Sequence, residues 1–328
     1  MAQIQLKSHR FRTEREASWR RLESLLGKVQ RKSVDSLSDD ELLEVPVLYR
    51  SAMSSLSVAR SISLDQGATG YLESLCLRAY LFVYGVRSTP LERLARFFTG
   101  DWPRAVRGLW RETLVSLLLF AVGVATAFAL TLSDPDWFYS FMPAEMAQGR
   151  DPGASTADLR KTLYDSGEGL AAFSSFLFTH NAQIAIFAFA LGFAFCLPTA
   201  LLIVYNGLTV GAFVALFVSR GLGTEVAGWL LIHGVTELSA VILAGAAGLH
   251  IGRAVIAPGD RPRVEAAAEA GRRGALVMAG AVIMLMFAGL LEGFGRQLIT
   301  HDGVRFAVAG ATALVWGLYF YGPRPRPA

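Results

Sequence analysis

The chain has 328 residues, 53% of them hydrophobic and 18% charged, with a net charge of +4 and a mean hydropathy of +0.40. Those values fit a polytopic membrane protein that carries a soluble part. Its two cysteines, Cys76 and Cys196, lie far apart and exclude a disulfide framework or a paired metal or redox motif.

Residues 1–112 hold 18 of the 31 Lys and Arg and 13 of the 27 Asp and Glu, a net +5. They read as a cytoplasmic helical domain. Trp19, Leu22, Leu25, Leu26 and Val29 recur at helical spacing, and Tyr71–Tyr84 is a further apolar-rich helix. Ser38-Asp-Asp-Glu41 before Leu42-Leu43 is a capping-box pattern. The arginines are interleaved with acids, which argues against nucleic-acid binding. Contact of Arg87–Arg111 with anionic lipid headgroups is the more natural role. The N-terminus has no apolar core, so the first apolar run is expected to act as an internal signal-anchor.

The transmembrane domain is expected over residues 113–322. Its first span is Thr113–Leu132, which follows Arg104, Arg107 and Arg111. A loop over 133–180 carries seven acids against three bases and reads as external. Within it, Ala171–His180 has an apolar face suited to lying on the outer leaflet or plugging the bundle mouth. Asn181–Ser219 is 39 residues without a charge. One helix of that length would run roughly 58 Å, about twice the hydrocarbon thickness, so it must fold back. Asn206-Gly207 is the expected turn, and Pro198 breaks or kinks the first arm. That gives two spans, the second short or re-entrant. Val226–Gly248, Gly274–Leu291 and Phe306–Tyr321 complete six. Trp316, Tyr319 and Tyr321 suit an interfacial belt. Six spans place both termini and the Arg-rich 251–273 loop in the cytoplasm, in accord with the positive-inside rule. The expected class is therefore all-α, a polytopic membrane helix bundle with an N-terminal cytoplasmic helical domain. One pair of spans is short or broken.

Val226–Gly248 holds His233 and Glu237 and no other titratable side chain. A spacing of four puts both on one helix face. An ionised carboxylate at membrane depth costs roughly 3 kcal/mol on insertion scales, so such a residue is paired, wetted or functional. Ala240, Ala244 and Gly248 continue that face as a small-residue stripe, which points the pair at protein and not at lipid. Two readings stand side by side. One is a proton relay, half of a metal site, or an ion or headgroup contact. The other is a hydrogen-bonded pair that fixes helix packing. Glu292, at the outer end of the fifth span, is expected to approach His233 and Glu237. His180, Asn181 and Asn206 complete the intramembrane polar cluster. A divalent metal at His233, Glu237 and Glu292 is the only cofactor this set suggests, and H-x-x-x-E is a weak signal for one. No P-loop, dinucleotide fingerprint, nucleophile elbow or Ser/His/Asp set is present.

At these motifs the chain resembles the stage II sporulation protein M family of membrane proteins. The resemblance rests on His233-Gly-Val-Thr-Glu237 through Gly248, Asn206-Gly207-Leu-Thr-Val-Gly211, Leu291-Glu292-Gly293 and Phe178-Thr-His180-Asn181. Trp19-Arg-Arg-Leu-Glu, Leu48-Tyr49-Arg50 and Tyr71-Leu-Glu-Ser-Leu look similar too. His180 stands where the family pattern has the first Asn of an Asn-Asn pair. The resemblance implies a bacterial inner-membrane scaffold without enzymatic activity that supports peptidoglycan or cell-envelope remodelling. Its partners would be membrane lipids, other envelope proteins and a second copy of the chain. The rival class is a proton- or metal-dependent transporter, or an intramembrane enzyme, using His233, Glu237 and Glu292.

Overall fold

A computed structural model of the chain describes residues 7–32, 36–61, 66–85, 89–164, 169–291 and 299–323. Among them the regular structure is entirely helical. The chain divides into two compact units, Met1–Arg93 and Leu94–Ala328.

The first unit is three helices: α1 (Lys7–Lys32), α2 (Asp39–Ser61) and α3 (Gln66–Tyr84). The apolar stripe of α1 buries Trp19, Leu22, Leu25 and Leu26 against Val45, Ala52 and Leu56 of α2 and Leu72, Leu75 and Ala79 of α3. The capping box forms as the sequence indicates. The amide of Ser38 donates to Glu41 Oε2 at 3.1 Å, and the amide of Glu41 donates to Ser38 Oγ at 3.3 Å. Lys28 binds the same carboxylate at 3.0 Å. That lysine and the Ser38 amide hold the Glu41 carboxyl below the usual range.

A short helix α4 (Pro90–Arg96) and a π-turn, Phe97–Asp101, lead to α5 (Trp102–Gly108) and α6 (Trp110–Ser133). By packing, the boundary between the units falls at residue 93. Trp102, Ala105, Val106 and Leu109 are buried in one core with Ala244, Val277 and Met284 of the bundle, which draws this segment into the second unit. A Cβ at Gly280 would land on the Trp102 indole, so glycine there makes room for it. Trp316 and Tyr319 turn inward onto that indole, and the Tyr319 hydroxyl donates to the Phe98 carbonyl at 2.6 Å. They form a clasp around Trp102. Tyr321 stays exposed.

Three short helices follow: α7 (Trp137–Phe141), α8 (Ala144–Ala147) and α9 (Thr156–Tyr164). The remaining helices are α10 (Gly169–Ala190), α11 (Leu197–Ser219), α12 (Gly223–Ile256), α13 (Arg263–Leu290) and α14 (Asp302–Tyr321). Among the described residues α6, α11, α12, α13 and α14 are long and apolar enough to cross a membrane, and Phe178–Phe193 is a shorter apolar helical stretch. Ala171–His180 is part of α10; the apolar face expected of it falls mostly on side chains outside the described ones.

The uncharged 39-residue run does fold back, but at 194–196 and not at Asn206-Gly207. A 3-10 turn, Leu191–Phe193, ends the first arm, and Phe195 and Cys196 adopt left-handed φ of 58° and 66°. Pro198 then starts α11, where its missing amide is harmless. The second arm, α11, is accordingly full length at 23 residues and not short or re-entrant. Asn206 and Gly207 stay helical because the glycine serves packing. A Cβ at Gly207 would strike the Phe120 carbonyl, and one at Gly123 the Val204 carbonyl, so α6 and α11 meet backbone to backbone.

The central helix is α12, which packs on α6, α10, α11, α13 and α14. The small-residue stripe serves that role. A Cβ at Gly248 would strike the Ala188 carbonyl of α10, and Ala240 and Ala244 are fully buried.

Candidate functional site

Helix α12 carries His233 and Glu237 into the bundle, where they are 2% and 6% exposed. The carboxylate is held across helices: Asn181 Nδ2 of α10 donates to Glu237 Oε1 at 2.6 Å. The His233 Nε2 to Glu237 Oε2 distance is 3.9 Å. That is ion-pair range but too long for a hydrogen bond. The direct His–Glu bond that the spacing allows is therefore not what fixes the carboxylate, because Asn181 takes that place. The His233 ring lies edge-on to Trp229 at 5.8 Å.

These side chains line a cavity of about 90 Å³. Asn181 and His180 of α10, Asn206 and Thr209 of α11, and His233 and Glu237 of α12 all reach it, and Met142 and Met146 of the α7–α8 segment border it. Asn206 is 5% exposed, and its Oδ1 accepts no hydrogen bond among the described residues. A cavity of this size has room for water or a small polar group. With a carboxylate and two carboxamides on its wall it is equipped to take a hydrogen-bond donor or a small cation. Five of the six side chains expected from sequence thus converge. The sixth, Glu292, lies outside the described residues, and with it the third corner of the expected metal set. Among the described residues no group of three or more His, Cys, Asp and Glu is placed to hold a metal ion.

A second polar cluster lies at the other end of α12. Glu112, 7% exposed in the first turn of α6, binds His250 Nδ1 at 3.1 Å and Arg253 Nη2 at 2.8 Å. Sequence reasoning missed it, because Glu112 and His250 are 138 residues apart and share no motif. The only sequence signal is an acid in the first turn of an apolar run. Between the clusters α12 carries no polar side chain from Ala240 to Leu249, and the stripe is packed.

Arg305 was also missed, hidden at the start of the last apolar run. It is fully buried and donates to the carbonyls of Ile299 at 2.8 Å and Leu163 at 3.1 Å. Its guanidinium lies 5.0 Å from the centroid of the Tyr164 ring, and the Tyr164 hydroxyl donates to Asp302 Oδ2 at 3.0 Å. Burial, followed by that bond, pushes the Tyr164 phenol up to about 12. The group latches α9 to the beginning of α14.

A family model described as Stage II sporulation protein M matches residues 116–295, which include every residue of the polar cavity. A second, described as a domain of unknown function (DUF8413), matches residues 9–85. No curated protein and no solved structure matches the chain.

Proposed function

We propose, for a chain that belongs to the stage II sporulation protein M family, that it is an inner-membrane scaffold supporting cell-envelope or peptidoglycan remodelling by binding partner proteins and lipids. The observation that carries this reading is the apolar segment of α12. Ten residues without a polar side chain separate the Glu237 cavity from the Glu112–His250 cluster, and their small-residue stripe is packed closely against neighbouring helices, so α12 itself offers no polar side chain to connect the two. The polar groups inside the bundle also act as ties between elements: Asn181 to Glu237, Trp316 Nε1 to Thr236 Oγ1 at 3.1 Å, and Thr209 Oγ1 to the Phe141 carbonyl at 3.2 Å. Such ties suit a rigid platform.

One observation favours a second reading. The Asn206 Oδ1 acceptor, buried and unpaired among the described residues, shares the cavity with Glu237 and His233. A proton- or metal-dependent transporter or intramembrane enzyme would place its ion there. Exchange of the chromosomal copy for Glu237→Gln separates the two. The scaffold keeps wild-type envelope morphology and wild-type patterns of new wall labelling with this variant, while deletion of the chain disturbs both. A Glu237→Gln strain as defective as the deletion, with normal protein level, would overturn the scaffold reading in favour of ion chemistry.

The scaffold is placed with both termini in the cytoplasm, as the charge asymmetry of the loops supports. In a background lacking Cys76 and Cys196, a cysteine at Asp158 is expected to react with an impermeant maleimide on intact cells. A cysteine at Arg261 is expected to react only after permeabilisation. Labelling of Arg261 on intact cells would overturn this orientation.

A further inference from the structure

The Arg-rich end of the bundle, where α12 stops at Ile256 and α13 starts at Arg263, holds two adjoining cavities of about 260 and 450 Å³. They share Glu269 and Arg273 as a common wall. The smaller is lined by His250, Arg253, Arg261 and Arg273. The larger is lined by Arg104, Arg272 and Arg273. Three carboxylates answer these five arginines, and each is already engaged. Glu112 binds Arg253 at 2.8 Å, Asp101 binds Arg104 at 2.7 Å, and Glu269 binds Arg261. Arg272 and Arg273 are left without an acid partner among the described residues, so the double cavity carries two uncompensated positive charges. The walls between the charged heads are apolar: Ala254, Ala257, Pro258 and Ala266 in one cavity, Leu276 in the other.

Basic pockets between helix ends at headgroup depth are suited to lipid phosphates, because guanidinium forks match phosphate oxygens in a partly dehydrated site. Here the charge excess is two, it is divided over two cavities, and Arg273 faces both. We propose that this double cavity is a binding site for an anionic phospholipid that carries two phosphates, one seated in each cavity, with Arg273 bridging them. Apolar walls beside the arginines accommodate the glycerol and upper acyl carbons, which a soluble anion does not need.

The purified full chain in a neutral detergent tests this. Cardiolipin, phosphatidylglycerol, phosphatidylcholine and inorganic phosphate are compared by native mass spectrometry and by lipid-dependent thermal shift. Cardiolipin is expected to bind at least tenfold more tightly than phosphatidylglycerol, and phosphatidylcholine and inorganic phosphate not measurably. Arg273→Ala is expected to remove that tenfold preference, and Arg273→Lys to keep part of it, since a point charge replaces a fork. Arg160→Ala, which breaks an exposed pair with Glu225 elsewhere on the molecule, is expected to leave lipid binding unchanged. Equal affinity for cardiolipin and phosphatidylglycerol on the parent protein would overturn the two-phosphate site, whatever the variants do. So would an unchanged preference in Arg273→Ala. Competition by inorganic phosphate at equal phosphate concentration would assign the arginines to a soluble anion instead.

Discussion

Arg305→Ala is expected to destabilise the chain by about 3 kcal/mol. The side chain is fully buried and satisfies the carbonyls of Ile299 and Leu163. Truncation leaves both acceptors without their donor at a cost of about 1–3 kcal/mol each, and it strips the cation from the Tyr164 ring. The thermal midpoint in detergent should fall by roughly 6–12 °C, at about 2–4 °C per kcal/mol for a domain of this size. The α9 segment should become the first site of protease cleavage. Arg305→Lys should recover little, since one ammonium cannot reproduce the fork that reaches both carbonyls. A wild-type midpoint and wild-type proteolysis in Arg305→Ala would refute the latch. Its pH dependence follows from Tyr164. The phenol titrates at about 12 in the folded chain against 10.0 ordinarily, so protonated Tyr164 favours the folded state. That contribution is complete below pH 10 and is lost as the pH rises towards 12. Tyr164→Phe should remove this component of alkaline unfolding.

Glu237→Leu is expected to cost about 1–3 kcal/mol, because the Asn181 amide, 9% exposed, then has no acceptor. Glu237→Gln offers Asn181 a carbonyl of the same reach and should stay within about 1 kcal/mol of the parent. The difference between the two variants isolates the hydrogen bond from the charge. Chemical or thermal unfolding of both in the same detergent measures it. A Glu237→Leu variant with a midpoint no lower than that of the parent would show that the Asn181 tie does not support the bundle. Asn181→Ala should cost a similar amount and should not add to Glu237→Leu, since both remove one shared bond.

Features set by near neighbours along the chain are legible in the sequence alone. The charge-free runs announce membrane helices, since hydrocarbon tolerates so few charges. The α1 stripe and the Ser38–Glu41 box follow from a period of 3.6 and from the geometry of a helix start. The inward aim of His233 and Glu237 follows from the small residues beneath them. The six side chains of the expected cluster stand out because polar groups in an apolar run are rare.

Other features depend on what each segment meets in space. Asn206-Gly207 has turn chemistry, whereas the 194–198 stretch offers only Pro198. The turn falls at the second because Gly207 is needed where α11 touches the Phe120 carbonyl of α6. The Glu112–His250 pair and the Arg305 latch join residues 138 and 142 positions apart, beyond the reach of any spacing rule. Trp316 and Tyr319 have the composition of an interfacial belt, and Trp102 offers them a buried aromatic surface. The sequence by itself thus determined the helical membrane class, the apolar runs and five of the polar side chains that line the cavity, because periodicity and charge exclusion act along the chain. Only the tertiary structure decided where the long run turns, that Asn181 holds Glu237, and which arginines are neutralised. Those outcomes depend on close backbone approach and on partners that folding brings together.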